Sequence, residues 1–270
     1  MKSKNIMLIF LSILFAFVIG ESSLVKDAIN DSVKIWFKYI VVTLLPVYYL
    51  VDLMLSLGVT RFINSKLMLI ILSFLLGAPS NAKYIDDFLS NGLIKKEDAN
   101  HLLFSIYSPS IPFILGLNYY SYKALIVIII IDLVLYTVSK RFFIKEKKSF
   151  RPLNYPKESF ANVINNSTKK SFDILILILG VICFYKIIIV FLRFIGLNFL
   201  INFIELTSAC DSVIKNDLGF STLLLCLLFG GISIHTQVSS VTNDYYKYFL
   251  YGRILSISIL ITFLVIDYMM

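Results

Sequence analysis

Apolar positions along the chain fall into runs of two lengths. Long runs cover Asn5–Gly20, Ile35–Gly58, Tyr122–Ser139, Ile174–Ile195 and Phe249–Ile266. A helix needs about 20 such residues to cross a bilayer, so these predict membrane-spanning helices. Unbroken stretches such as "ALIVIIIIDLVLY" lack the period-two alternation of a membrane β-barrel. The fold class expected is therefore an all-α polytopic membrane protein. Pro46 lies inside the second run and predicts a kink there.

Other runs stop short. Leu67–Leu76 ends at Gly77 and gives way to "APSNAK", and "STLLLCLLF" ends at Gly230-Gly231 before "ISIHTQ". A third segment, "LLFSIYSPSIPFILGLNYY", is broken by Pro109 and Pro112. An interrupted helix at membrane depth leaves backbone N–H and C=O groups unpaired, at several kcal/mol each in hydrocarbon. Such a break persists where protein buries it or where it lines a watery cavity, and paired breaks in the two halves of a chain point to a transporter's binding site. "GAPSNAK" therefore reads as the tip of a re-entrant hairpin. Asn81–His101 is polar and amphipathic, with an Asn91-Gly92 turn between two helical pieces.

The two truncated runs share one design, and each follows a long run. With Lys2 and Lys4 cytoplasmic, the span Ile35–Gly58 runs inward and Ile174–Ile195 runs outward. Two inverted repeats with broken or re-entrant helices are expected. Residues 1–34 form an N-terminal anchor helix and interfacial segment, and 35–140 the first repeat. Residues 141–172 form a basic cytoplasmic loop with an amphipathic helix, and 173–270 the second repeat.

Composition agrees with this reading. Of 270 residues 58% are hydrophobic and 16% charged, and the mean hydropathy is +0.84. The net charge of +8 fits the positive-inside rule and anionic headgroups, and no nucleic-acid partner is expected. The basic residues Lys140, Arg141, Lys145, Lys147, Lys148 and Arg151 form the strongest cluster, which is expected to face the cytoplasm. Cys183, Cys210 and Cys226 sit in or beside apolar stretches without metal-ligand spacing, so no metal or other cofactor is expected. The basic, apolar N-terminus has no good small-x-small cleavage site and reads as an uncleaved signal anchor. No Walker A loop, G-x-S-x-G or H-E-x-x-H stands in the chain, and no enzymatic activity is expected.

Several polar residues interrupt apolar sequence. Glu205 in "NFIELTSAC" is either an interfacial residue or a ligand for solute or coupling ion in a helix break, with Thr207 and Ser208 adding hydroxyls beside it. Lys83 at the first break either attracts an anion or snorkels to the interface. His235 is either a packed structural residue or a site residue, and His101 is expected to be solvated. Asp132 should face the bundle beside a polar partner, serving structure or proton coupling, whereas Asp52 and Asp173 are expected at the interface.

Four segments, in order, resemble a known family. "TLLPVYYLVDLML", "GAPSNAKYIDDFLSNGLIKKEDANHLL", "ELTSACD" and "FGGISIHTQVSS" are similar to motifs of the sporulation integral membrane proteins that carry the nucleoside recognition (Gate) domain. That family is related to concentrative nucleoside transporters. The resemblance covers Thr43–Val241; Ala78 and Asn81 stand where the family has tyrosine and glycine. It implies a multi-pass carrier of a small polar metabolite, nucleoside-like or an aromatic dicarboxylate such as dipicolinate, in a cell membrane or a spore or forespore membrane. The solute would bind between the breaks. Backbone donors would come from the turns containing Gly77, Pro79, Ser80, Asn81, Gly231, Ser233 and His235. Side-chain contacts would come from Lys83, Ser108, Ser110, Glu205, Thr207, Ser208 and Gln237. Partners expected are the solute, the bilayer, and a second copy or a membrane partner protein. The alternative is a non-transporting scaffold or partner subunit that retains the Gate fold.

Overall fold

The computed structural model describes residues 2–59, 62–106, 108–143, 159–242 and 245–269, and the regular elements among them are all helical. Five stretches are long and apolar enough to cross a membrane: Ser22–Ser56, Ser121–Phe143, Phe160–Phe194, Phe220–Thr242 and Tyr246–Val265. The protein is an all-α polytopic membrane protein.

Helix α1 (Lys2–Gly20) rests on the rest of the molecule through Phe17, whose ring lies 5.3 Å from that of Phe191. Its other face carries exposed Ile6, Leu8 and Phe15. Helix α2 (Ser22–Ile35) passes through a wide π-helical turn, Trp36–Val41, into α3 (Val42–Ser56). The stretch Glu21–Lys34, expected at the interface, is thus helical and continuous with the span. The widened turn lies just ahead of Pro46, which has no N–H to give to the carbonyl one turn back.

The remaining helices are α4 (Ser65–Leu76), α5 (Ser80–Ser90), α6 (Lys96–Ser105), α7 (Ile111–Gly116), α8 (Ser121–Phe143), α9 (Phe160–Phe194), α10 (Leu206–Lys215), α11 (Phe220–Phe229), α12 (Gly231–Thr242) and α13 (Tyr246–Met269). A short 3₁₀ turn, Asn198–Phe203, precedes α10. The amphipathic stretch from Phe160 runs straight into the span, because neither proline nor glycine interrupts it before Gly180. The basic stretch expected to be cytoplasmic lies, from residue 144 on, outside the described residues.

Side-chain contacts fix which way the elements run. Lys170 of α9 meets Asp52 of α3 at 3.4 Å, whereas Lys186, further along α9, is in electrostatic reach of Asp31 in α2. The spans α2–α3 and α9 are therefore antiparallel. We call the end holding Asp52 and Lys170 the near face and the other the far face. The pair Lys66–Asp98 (2.6 Å) sets the starts of α4 and α6 together, and the ring of His101 in α6 lies 4.5 Å from Tyr136 near the end of α8. Helix α4 thus enters from the near face and stops at Gly77. Helix α5 turns back beside it, Asn81 Nδ2 donating to Ser73 Oγ. Helix α6 re-enters and, after a break at Ser108–Ser110, α7 continues to the far face. In the second half the 3₁₀ turn and α10 form the re-entrant piece, with Glu205 at its tip, and α11–α12 form the interrupted span, broken at Gly230.

In order along the chain, Gly77 and Glu205 each stand at the tip of a re-entrant piece, and Ser110 and Gly231 each at the break of an interrupted one. The apolar pattern sets Gly77 beside Gly230. Both runs end at glycine, but one glycine makes a hairpin tip and the other a break in a helix that goes on.

One large apolar core joins α2–α8 with α9–α13. Helix α13 comes so near α6 that a Cβ on Gly252 would stand 2.0 Å from Phe104 O. Outside this core, Ile126, Ile130, Val134 and Val138 form a stripe of exposed apolar residues four apart on α8. Ile176 and Leu177 on α9 and Ile254 and Phe263 on α13 are also exposed, surface that belongs in hydrocarbon.

Candidate functional site

The four breaks meet in two crossings. At the first, Gly77 closes α4 with φ +63° and ψ −178°, a conformation open essentially to glycine alone. A Cβ there would lie 2.3 Å from Ser110 N and 3.0 Å from Pro109 C, so only glycine lets the two backbones touch. Ala78 N–H donates to Ser108 O at 3.4 Å across the crossing. Ser110 then caps α7, its Oγ accepting from Phe113 N–H at 3.3 Å, with Pro112 in the first turn.

The second crossing repeats this contact with other residues. A Cβ on Gly231 (φ +75°) would lie 2.9 Å from Leu206 N, and Ser233 N–H donates to Ile204 O at 2.9 Å. Glu205 is the cap of α10. Its Oε1 accepts from Thr207 N–H at 2.9 Å and its Oε2 from Ser208 N–H at 2.6 Å. A carboxylate at a helix N-terminus is stabilised by both the hydrogen bonds and the dipole. Glu205 is 3% exposed and so lies inside the protein.

Between the crossings lies a cavity of about 50 Å³, bounded by Pro79, Ser110, Glu205, Thr207 and Gln237 and by apolar residues of α3 and α9 such as Leu44 and Ile178. Gln237 Oε1 is buried there with no hydrogen-bond partner among the described residues. Tyr48, Pro79, Ile178, Val181 and Gln237 also line a second cavity, of about 530 Å³, toward the near face. This vestibule holds Lys83, Asp87, Asp173 and the pair Lys170–Asp52. Tyr48 and Ser80 hydroxyls share a hydrogen bond of 2.8 Å on its wall.

Of the fourteen residues expected at the site from sequence, Pro79, Ser110, Glu205, Thr207 and Gln237 surround the small cavity, and Ser80 and Lys83 line the vestibule. Gly77 and Gly231 form the crossings themselves. The side chains of Asn81, Ser108, Ser208, Ser233 and His235 line neither cavity. His235 is held by Tyr246 OH at 2.8 Å on Nδ1 and Phe229 O at 3.0 Å on Nε2, the packed arrangement. His101, expected in solvent, is fully buried, with Nε2 3.0 Å from Tyr136 O. Asp52, expected at the interface, is 7% exposed and paired. Sequence reasoning passed over Tyr48 and Lys170. The signal for Tyr48 was its place half a turn after Pro46, where the span bends toward the breaks.

Behind the first crossing lies a buried polar cluster. Ser108 Oγ donates to Asp132 Oδ1 at 2.9 Å, Arg253 Nη1 donates to Ser108 Oγ at 3.2 Å, and Arg253 Nη2 stands 3.7 Å from Asp132 Oδ1. Asp132 thus faces the bundle, as expected. Arg253 was legible as a lone charge inside "YFLYGRILSISIL". No family profile, curated protein or solved structure matches the chain.

Proposed function

We propose that this membrane protein is a secondary carrier of small polar solutes, as the nucleoside-recognition resemblance implies, and that its halves are inverted repeats. The observation that carries the proposal is the pair of crossings with a polar cavity between them. Broken backbone that protein holds at the centre of an apolar bundle, beside a cavity opening to one face, is the arrangement of alternating-access carriers. The antiparallel run of α3 and α9 and the matched order of elements in the two halves support inversion.

The chemistry of the wall narrows the solute. Glu205 takes two of the otherwise unpaired N–H groups at the start of α10, those of Thr207 and Ser208, so that helix end offers fewer bare donors to an anion. It offers a carboxylate, with Thr207, Ser110 and Gln237 beside it. Such a wall favours a solute rich in N–H and O–H donors over a dianion, and hence a nucleoside-like solute over an aromatic dicarboxylate. The small cavity is too small for either. The vestibule of about 530 Å³ lies within the roughly 300–1,000 Å³ usual for small-molecule sites, so the body of the solute would sit on its floor at Gln237 and Tyr48 and present one donor group to the small cavity and Glu205.

Uptake into proteoliposomes tests the reading. Nucleosides should be taken up in preference to dicarboxylates and dipicolinate, and Gln237→Ala should reduce the flux. An absence of uptake for every solute, with the protein correctly inserted, would favour the scaffold alternative.

A further inference from the structure

Two hydrogen bonds of one design tie the first half of the chain to the second, one at each end of α8. At the far face Tyr119 donates its hydroxyl to Asp217 Oδ1, and at the near face Tyr245 donates to Asp86 Oδ1. Tyr119 precedes α8, whereas Tyr248, three residues after Tyr245, packs its ring 5.3 Å from that of Phe143 at the other end of α8. The 23 residues of α8 rise about 34 Å, so the two bonds lie on opposite faces.

Each tyrosine stands three residues beyond a short helix that leaves a crossing, α7 ending at Gly116 and α12 at Thr242. Each aspartate lies on, or just after, the helix that leaves the other crossing for the same face: Asp86 on α5 and Asp217 after α10. Helices α7 and α10 both run outward from the small cavity to the far face, carrying Ser110 and Thr207 at their inner ends. Their outer ends are joined by Tyr119–Asp217. Helices α5 and α12 are joined in the same way toward the near face.

The two ties differ in what surrounds them. Tyr245 is 7% exposed, and the vestibule is open on its face although its bond is made. It reaches α5 at Asp86, whereas the vestibule is lined by Lys83 and Asp87. The far tie is open to solvent. Asn118 (φ 57°), Tyr120 (φ 47°) and Asp217 (φ 49°) are the non-glycine residues with left-handed backbone among the described residues, and all three are at this contact. Such a conformation is strained for a residue that carries a Cβ. The bond to Asp217 pushes the Tyr119 phenol's pKa up, which keeps it a donor. Tyr120 adds a ring contact to Phe220 at 5.5 Å.

We propose that Tyr119–Asp217 is the far-face gate of the path, and that Tyr245–Asp86 is a fixed tie that stays closed while it opens. The proposal rests on the carrier reading. An exposed hydrogen bond between two strained loops is a contact that opens at small cost, which a gate requires.

Cysteine access tests it without needing transport. In a chain whose three native cysteines are replaced by alanine, Thr207→Cys reports on the buried cavity, and Asn216→Cys, exposed at the far face, identifies the side reached. Tyr119→Phe and Asp217→Asn should each raise labelling of Thr207→Cys by an impermeant methanethiosulfonate from that side at least threefold. Tyr245→Phe should leave it unchanged. Unchanged labelling in both far-face variants overturns the gate, and raised labelling in Tyr245→Phe overturns the fixed tie. A disulfide between Tyr119→Cys and Asp217→Cys should lower uptake more than tenfold, reversibly with dithiothreitol. Uptake that persists through the cross-link also overturns the gate. Raised labelling with no uptake in any variant keeps the gate and refutes the carrier reading instead.

Discussion

The two crossings solve one problem with different chemistry. Each brings a glycine backbone against the backbone of another broken helix, and each caps the helix that starts there with a side chain. The first is capped by a neutral serine and backed by a buried ion pair, Asp132–Arg253. The second is capped by a carboxylate and backed by apolar residues such as Leu227 and Leu228. A neutral cap at the cavity with charges held behind it suits a rigid wall. A carboxylate at the cavity suits contact with a solute. On the carrier reading, the first crossing would hold the shape and the second would supply the chemistry.

The comparison breaks most severely at the glycines. Gly77→Ala would place a Cβ 2.3 Å from a backbone nitrogen, with no flexible side chain to give way, at a φ of +63°. The expected loss exceeds about 4 kcal/mol, enough to abolish folded protein in detergent extracts. Gly231→Ala, at 2.9 Å, should be milder, leaving folded protein with a lower melting temperature. Equal behaviour of the two would remove the distinction between a tight and a looser crossing. Next in size is Arg253→Met, which leaves Asp132 buried without its cation. Removing one partner of such a pair costs about 3–5 kcal/mol. The double variant Asp132→Leu/Arg253→Met should recover much of this, as measured by thermal unfolding. A double variant no better than the single would mean the pair is not the source of the loss.

How much of this was legible in the sequence follows from what each signal measures. Long apolar runs report hydrocarbon-facing surface, so four of the five spans were visible; Phe220–Thr242 reads as truncated because Gly230 divides it, and the run Asn5–Gly20 is shorter than a span. The break at Gly77 was visible because glycine and proline end an apolar run abruptly. The tip at Glu205 was harder. Its 3₁₀ approach, "NFLINF", is as apolar as a helix, and nothing but the carboxylate marks it. That Gly77 and Glu205 both stand at the tips of re-entrant pieces could not be read, because a glycine turn and a carboxylate cap share no residue type. His101 misled because its neighbours Lys95, Lys96, Glu97 and Asp98 are polar, while its own side of α6 packs against α8. Arg253 and Asp132 lie 121 positions apart, and only the fold joins them.

The chemical side of the comparison is sharpened by Glu205→Gln. Glutamine keeps the shape but has one acceptor oxygen where the carboxylate offers two, so one of the two capping bonds to Thr207 and Ser208 is lost. Stability should fall by about 1.5–3 kcal/mol, the worth of a hydrogen bond to a charged group. Solute flux at matched membrane abundance should fall more than tenfold, equivalent to about 1.4 kcal/mol. Lys140→Gln, at the exposed end of α8, is the control and should transport as the parent does. Unchanged flux in Glu205→Gln would make the carboxylate a cap alone.

The smallest effect is expected at the matching position of the first crossing. Ser110→Ala removes the oxygen that accepts from Phe113 N–H, and a lost serine cap costs about 1 kcal/mol. The hydroxyl also faces the small cavity, so a solute could in principle have used it. Both caps are engaged by the helix they start, but Glu205 keeps further lone pairs and a full negative charge, whereas Ser110 keeps a neutral hydroxyl, so on the carrier reading most of the contact would fall to Glu205. A slightly lower melting temperature with flux within twofold of the parent is therefore expected. Two measurements on one preparation, thermal unfolding and initial uptake rate, separate these contributions. A flux loss in Ser110→Ala as large as that in Glu205→Gln would place chemistry at both crossings, and the division between a wall that holds shape and a wall that binds would fail.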